Sequence, residues 1–347
     1  MSGEKRVLVF RTGHLGDTVC AIPAFRLIRR HFPDAELMLL CDRPDNSVKV
    51  PVIGVIEDLH IFDQIATYSS VEWSITAWRI IQIVRDYRPD VVVMLPQVRE
   101  TSRSVRRKKL LFQSCGVPDT RGLQLRGSSH AWQPTEANRL VLMLNKLGID
   151  GTKPTYDLPV DSATQRSVEE RLRAICVNPS RPFVVFCGGG KASTQCWPLE
   201  RYAAVLLRLA AETGSEVFGV GHHADLEDYR ARILPTFSAL RLPLAPFTVT
   251  EMFEVCRRAL VYFGNDTGPM HVSAAVDCPV AVVMSARNAP GSWDPDVERR
   301  LVIRHRTECE DCFLTDCVAE KHRCLAEITV EQVAADVVPF VKSLQRR

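Results

Sequence analysis

The reading of the fold turns on VYFGNDTGPMHVSAAVDCPVAVVMS, residues 261–285. An apolar run stops on Asp266, turns at Gly268, restarts at His271 and is apolar again by 279–285. Two short apolar runs flanking a segment of helical length predict a strand, a helix and a second strand parallel to the first. Asp266 or Thr267 can cap that helix, and Pro269 suits its first turn, where a missing N–H costs nothing. The helix then aims free N–H groups at an anion. This predicts a phosphate site in which Gly268 permits close approach while Asp266 and His271 contact the rest of the ligand. A capped helix with a surface histidine is the other reading of the same residues.

The alternation continues on both sides. Strands are predicted at 183–189, 216–221, 259–265 and 279–285, with a helix at 198–213. Upstream, strands are predicted at 6–10, 35–41 and 90–96, with helices at 18–32 and 73–87. The Pro-containing stretch GTKPTYDLPVDSA, 151–163, separates the two series. The expected fold is α/β with two domains, each a mostly parallel sheet covered by helices. A length of 347 residues suits two domains, because one hydrophobic core rarely serves a chain that long. Ligands of open α/β sheets lie beyond the carboxyl ends of the strands, so the loops after Phe10, Gly189, Gly221 and Asn265 are expected to line a cleft between the domains.

Composition narrows the function classes. Hydrophobic residues make up 46%, enough for two cores, and 44 Lys plus Arg against 41 Asp plus Glu leave a net charge of only +3, which argues against a general nucleic-acid binder. The apolar stretch Val7 to Phe10 is far shorter than the ~7–15 residues of a signal-peptide core, and no run approaches the ~18 residues of a spanning helix. A cytoplasmic protein is expected, with its twelve cysteines reduced. Basic charge is instead local: residues 99–126 hold eight Lys or Arg, Arg103 and Arg106 among them, against Glu100 and Asp119. Such a patch attracts an anionic acceptor, or it is a solvated helix face.

A second loop, CGGGKASTQCWP at 187–198, places Gly188, Gly189 and Gly190 after a predicted strand, with Lys191, Ser193 and Thr194 supplying a charge and two hydroxyls. It has the makings of a phosphate cradle, although it matches neither G-x-x-x-x-G-K-[ST] nor G-x-G-x-x-G. A glycine-rich turn without a ligand is the alternative.

RTGHLGDTVCAIPAFRLIRRHFPDAEL (11–37), followed much later by NDTGPMHVSAAVDCPVAVV (265–283), resembles glycosyltransferase family 9, whose best-known members are the ADP-heptose heptosyltransferases of lipopolysaccharide assembly. The resemblance spans nearly the whole chain. It includes Arg11, Gly16 and Asp17 near the start, the pair Trp197 and Pro198, then Asp266, Gly268 and His271, and the trailing CLAEITVEQVAADV. It implies a GT-B architecture, with an acceptor-binding Rossmann-like domain over 1–160, a nucleotide-sugar domain over 161–328, and a last helix, 329–347, returning to the first domain. It also implies heptose transfer from ADP-heptose, with inversion, to a hydroxyl of an anionic glycolipid or of a protein, at the cytoplasmic face of the inner membrane.

The residues suit that chemistry. The acceptor hydroxyl needs a base, and Asp17 follows the first strand. It matches the family's catalytic aspartate; alternatively it caps a helix starting at Thr18, and His14 is then the substitute base. The departing diphosphate gains charge, which the helix after Gly268, the glycines at 188–190 and Lys191 can stabilise, so no divalent metal is expected to be needed. Donor contacts are assigned to Gly188, Gly189, Gly190, Lys191, Ser193, Thr194, Asp225, Asp266, Thr267, Gly268 and His271. Acceptor contacts are assigned to Arg11, His14, Arg103 and Arg106. Relatives often carry a lysine where this chain has Gln195, two residues before Trp197, which leaves the donor open. Cys309, Cys312, Cys317 and Cys324 can hold a structural Zn²⁺ or iron, or else remain free thiols or form a disulfide pair. A nucleotide-sugar epimerase and a non-catalytic sugar-nucleotide binder share the same architecture.

Overall fold

The computed structural model describes residues 5–43, 53–69, 73–125, 132–175, 177–178, 181–317 and 322–346. Arg126 of the basic stretch and residues 318–321 of the cysteine segment lie outside them. The chain forms two compact units: unit 1 is Met1–Gly127 with Pro134–Tyr156, and unit 2 is Ser128–Gln133 with Asp157–Arg347. Among the described residues no helix is long and apolar enough to cross a membrane.

Unit 1 runs β1 (Arg6–Phe10), α1 (Leu15–His31), β2 (Glu36–Arg43), α2 (Ile53–Asp58), β3 (Gln64–Ser69), α3 (Trp73–Tyr87), β4 (Val91–Met94), α4 (Ser102–Ser114), β5 (Asp119–Arg121) and α5 (Glu136–Lys146). Its sheet has the order β3-β2-β1-β4-β5 and every pairing is parallel. Strands β1 and β4 are central, and Val7, Leu8, Val9 and Val91 to Val93 are buried, as continuous apolar runs in a doubly covered sheet must be. Helices α3 and α4 close one core, packing Ile80, Val84, Val105 and Phe112 onto Leu8, Phe10, Leu40 and Met94.

Unit 2 runs α6 (Ser162–Ala174), β6 (Phe183–Cys187), α7 (Leu199–Thr213), β7 (Glu216–Gly219), α8 (His223–Arg232), α9 (Val249–Arg258), β8 (Val261–Asn265), α10 (Gly268–Ala275), β9 (Val280–Met284), β10 (Arg300–Arg304), α11 (Arg323–Ala326) and α12 (Val330–Gln345). Its sheet is again all parallel, in the order β10-β9-β8-β6-β7. The last helix departs from the expectation that it returns to the first domain. Val333, Val337, Val341 and Leu344 of α12 are buried in the core of unit 2 beside Leu206 and Leu209 of α7. Lys342 and Gln345 fasten its end to Glu212 and to the Thr213 carbonyl. A four-residue apolar spacing gives a helix one adhesive stripe, and α7 offers the matching one.

Candidate active site

At the carboxyl edge of the unit 2 sheet, β6 and β8 are neighbours, so the two predicted phosphate loops come together. A Cβ on Gly190 would lie 3.5 Å from Cγ2 of Thr267. Asn265, the last residue of β8 and fully buried, ties this edge. Its Oδ1 accepts from the Trp197 N–H at 3.1 Å and the Tyr202 hydroxyl at 2.6 Å, and its Nδ2 donates to the Gly188 carbonyl at 2.5 Å. Asn265→Ala strands three buried polar groups, and at ~1–3 kcal/mol for each unsatisfied group the expected loss is about 2–4 kcal/mol after partial relaxation. Urea unfolding followed through tryptophan fluorescence measures it.

The glycine loop is more committed than its composition indicates. Gly188 and Gly189 both donate their N–H groups to the Tyr229 hydroxyl at 2.8 Å, so these two amides serve the fold and Gly190 and Lys191 form its exposed tip. Ser193 and Thr194 are likewise engaged. The Ser193 hydroxyl donates to the Thr315 carbonyl and to Oδ1 of Asp316, and Thr194 donates to the Leu314 carbonyl at 2.6 Å. Arg287 donates to that same Leu314 carbonyl at 2.7 Å. The two hydroxyls therefore latch the loop to the cysteine segment, in place of the open phosphate contacts expected of them. Gln195 donates to the backbone carbonyl of Asp266 at 3.0 Å and so joins the two loops as a neutral amide can.

Thr267 is the N-cap of α10 in extended conformation, Pro269 occupies the first turn, and among the described residues no side chain caps the helix, which leaves its N-terminus to an anion. Asp266 and His271, expected to be open ligands, are nearly buried. Asp266 Oδ2 accepts from Asn288 Nδ2 at 3.1 Å, His271 Nε2 lies 3.6 Å from its Oδ1, and the His271 ring meets Trp293 edge-on at 5.5 Å. The loop after β9 supplies Asn288 and Trp293, and the residue pattern gave no sign of either. Asp225 lies against the glycine loop: a Cβ on Gly189 would fall 2.1 Å from its Oδ1, while its Oδ2 accepts from the His222 N–H at 2.9 Å. Burial raises its carboxyl above the usual range.

In unit 1 the corner after β1 is a dense polar knot. Helix α1 begins at Leu15, ahead of the expected Thr18, and Asp17 sits in its first turn with Oδ2 accepting from the His14 N–H at 2.9 Å. Gly13, at φ +143°, lies so close that a Cβ there would meet the Asp17 Cβ at 2.4 Å. Its N–H donates to Oδ1 of Asp42, at the end of β2, at 2.9 Å. Arg11 is 2% exposed and serves the fold, where an acceptor contact was expected. It donates to the carbonyls of Leu95, Pro96 and Asp17 and to Oε1 of Glu136 at 3.0 Å. Glu136 also pairs with Arg139 at 2.6 Å. Burial alone would raise the Glu136 carboxyl, yet Arg139 and then Arg11 hold it below the usual range. Arg103 and Arg106 lie on the exposed side of α4.

The cysteine segment folds beside the glycine loop. Burial pushes the Cys324 thiol up, and the charges of Cys309, Cys312 and Cys317 add to the rise. Among the described residues, however, no three His, Cys, Asp or Glu groups are gathered to hold a metal ion.

Two all-parallel sheets, each with loops gathered at a carboxyl edge, define a GT-B protein. The family model described as Glycosyltransferase family 9 (heptosyltransferase) matches residues 126–323, more than half of the chain, and the chain belongs to that family of glycosyltransferases. The fold is similar to a family 9 glycosyltransferase from Veillonella parvula DSM 2008, at 18% identity and a TM-score of 0.76, covering 99% of each chain. It is also similar to the E. coli ADP-heptose lps heptosyltransferase II, at 17% identity and 0.68, covering 98% of this chain and 99% of that one. A third similar structure is E. coli heptosyltransferase WaaC with ADP-2-deoxy-2-fluoro heptose, at 16% identity and 0.62, covering 96% and 98%. No curated protein matches the sequence.

Proposed function

We propose that this glycosyltransferase moves a heptose from ADP-heptose, with inversion, to a hydroxyl of an anionic glycolipid of the lipopolysaccharide-core type, at the cytoplasmic face of a membrane. The observation that carries the reading is the meeting of Gly190 and Thr267 at the uncapped start of α10, where a diphosphate meets backbone N–H groups and the positive end of a helix. The WaaC structure solved with an ADP-heptose analogue supports an ADP sugar as donor.

In this reaction the acceptor oxygen attacks the anomeric carbon, the bond from that carbon to the diphosphate oxygen breaks, and ADP leaves with the electron pair. The hydroxyl proton passes to Asp17. Its Oδ2 is held by the His14 N–H and its Oδ1, 3.8 Å from Arg11 Nη2, takes the proton, while Arg11 also fixes the segment by binding the Asp17 carbonyl. Lys191 and the α10 N-terminus stabilise the charge growing on ADP. Asp266, oriented by Asn288, contacts the transferred sugar.

Calorimetric titration with ADP-heptose, UDP-sugars and GDP-sugars tests the donor, using the native chain and Asp266→Ala. The expected result is selective binding of the ADP sugar, weakened roughly 10- to 100-fold in the variant by loss of a buried charged hydrogen-bond partner. Preference for another nucleotide reassigns the donor, with Gln195 the first residue to exchange. Absence of binding to all three rejects the reading.

A further inference from the structure

We propose that the outward face of α3 and α4 docks unit 1 on an anionic lipid bilayer. Both helices pack over one core, Ile80, Val84 and Tyr87 from α3 beside Val105 and Phe112 from α4, so both outward stripes point away from the same sheet face. The α3 stripe presents Ile75 at 46% and Trp78 at 60% exposure. On α4, Arg103, Arg106, Arg107 and Leu110 follow one another at the i, i+3, i+4, i+7 spacing of a single helical face, and Leu110 is 57% exposed. Helix α4 has five Lys or Arg residues and no acid, while α3 adds Arg79 and Arg85 against Asp86. Lys108 stands apart from this face, being turned to Glu100 at 2.6 Å.

Large apolar side chains that protrude beside arginines match the two halves of a lipid headgroup region. Tryptophan and leucine enter the boundary of the acyl chains, and guanidinium groups pair with lipid phosphates. A nucleic acid would engage the arginines and leave Ile75, Trp78 and Leu110 in water. The inference extends the glycolipid reading above and rests on it for its biological sense, since an acceptor of that class resides in the surface that this face would bind.

Co-sedimentation of the full chain with phosphatidylglycerol-containing vesicles and with pure phosphatidylcholine vesicles tests the surface. Binding is expected only to the anionic vesicles and should weaken as salt rises. The double variants Trp78→Ser with Leu110→Ser and Arg103→Gln with Arg106→Gln should each lower vesicle affinity by roughly tenfold or more. The four side chains are exposed, so thermal unfolding and ADP-sugar binding should stay unchanged. Equal binding to both vesicle types, or anionic binding indifferent to either variant, overturns the proposal. So does concentration-dependent self-association that Trp78→Ser abolishes, which would give the face to a second copy of the chain. ADP-sugar titration of the native chain separates the two readings: donor binding without any binding to anionic vesicles rejects this surface alone, and vesicle binding without donor binding rejects the donor assignment alone.

Discussion

Glu136→Ala should destabilise unit 1 by about 3–5 kcal/mol, because it leaves two buried guanidinium groups, those of Arg11 and Arg139, without their shared counter-charge. Both arginines and the glutamate are at most 3% exposed, so water cannot replace the lost carboxylate without opening the sheet end. Glu136→Gln keeps the shape and some hydrogen bonds, and it should recover only part of the loss. The pH dependence follows from the lowered carboxyl. Its contribution is present in full above the ordinary glutamate value of about 4.3 and is lost as pH falls through the lower folded value. Acid titration of stability should therefore be shallower in Glu136→Gln than in the native chain below that range. Equal stabilities of the native and alanine chains, measured by urea unfolding at neutral pH, would remove the ion triad as a support of this corner.

The second large effect is on turnover. Asp17→Asn should reduce kcat by about 10²- to 10⁴-fold, the usual worth of a positioned general base. The amide oxygen can still accept from the His14 N–H, so the cap survives. Stability should fall by only about 0.3–1 kcal/mol, which is what a charge in the first helical turn contributes. ADP-sugar affinity should not move, since the donor contacts belong to unit 2. Product formation from ADP-heptose and a lipid acceptor measures the rate. A loss below tenfold would leave Asp17 as a capping residue and shift attention to Asp42, whose carboxylate holds the adjoining Gly13 N–H.

The central strands were legible because they are apolar without interruption. RVLVF, VVVM, FVVFC and VAVVM can only be strands buried on both faces, and each lies inside its predicted window. The strands that escaped notice, QIATYS, DTR and RLVIR, occupy sheet edges, where one side meets solvent and the apolar run dissolves. At the site, local spacing found the loops and missed their partners. The Tyr229 hydroxyl reaches Gly188 from 41 positions away, and Thr194 reaches Leu314 across 120. No periodicity encodes such pairings. A polar amide ending an apolar strand has to bond to something, and Asn265 bonds to Trp197, Tyr202 and Gly188. An apolar stripe specifies that a helix packs without specifying against what, so the sequence does not name α7 as the neighbour of α12.

The Arg11–Glu136 pair also sets an order in time. The two residues are 125 positions apart. At about 5–20 residues per second, a ribosome needs roughly 6–25 s to travel from one codon to the other. Through that interval β1 and α1 are already made while β2 to β5 are still being added, and the Arg11 guanidinium, destined for burial among Leu95, Pro96 and Asp17, has only the Asp17 carboxylate, 3.8 Å away in the folded unit, as a charged neighbour and lacks the closer Glu136. The corner that carries Asp17 therefore cannot complete its buried ion pair until α5 has been made. A nascent chain stopped before α5 should hold native-like β-structure around an open, protease-sensitive start, and release by only a few more residues of synthesis should close it.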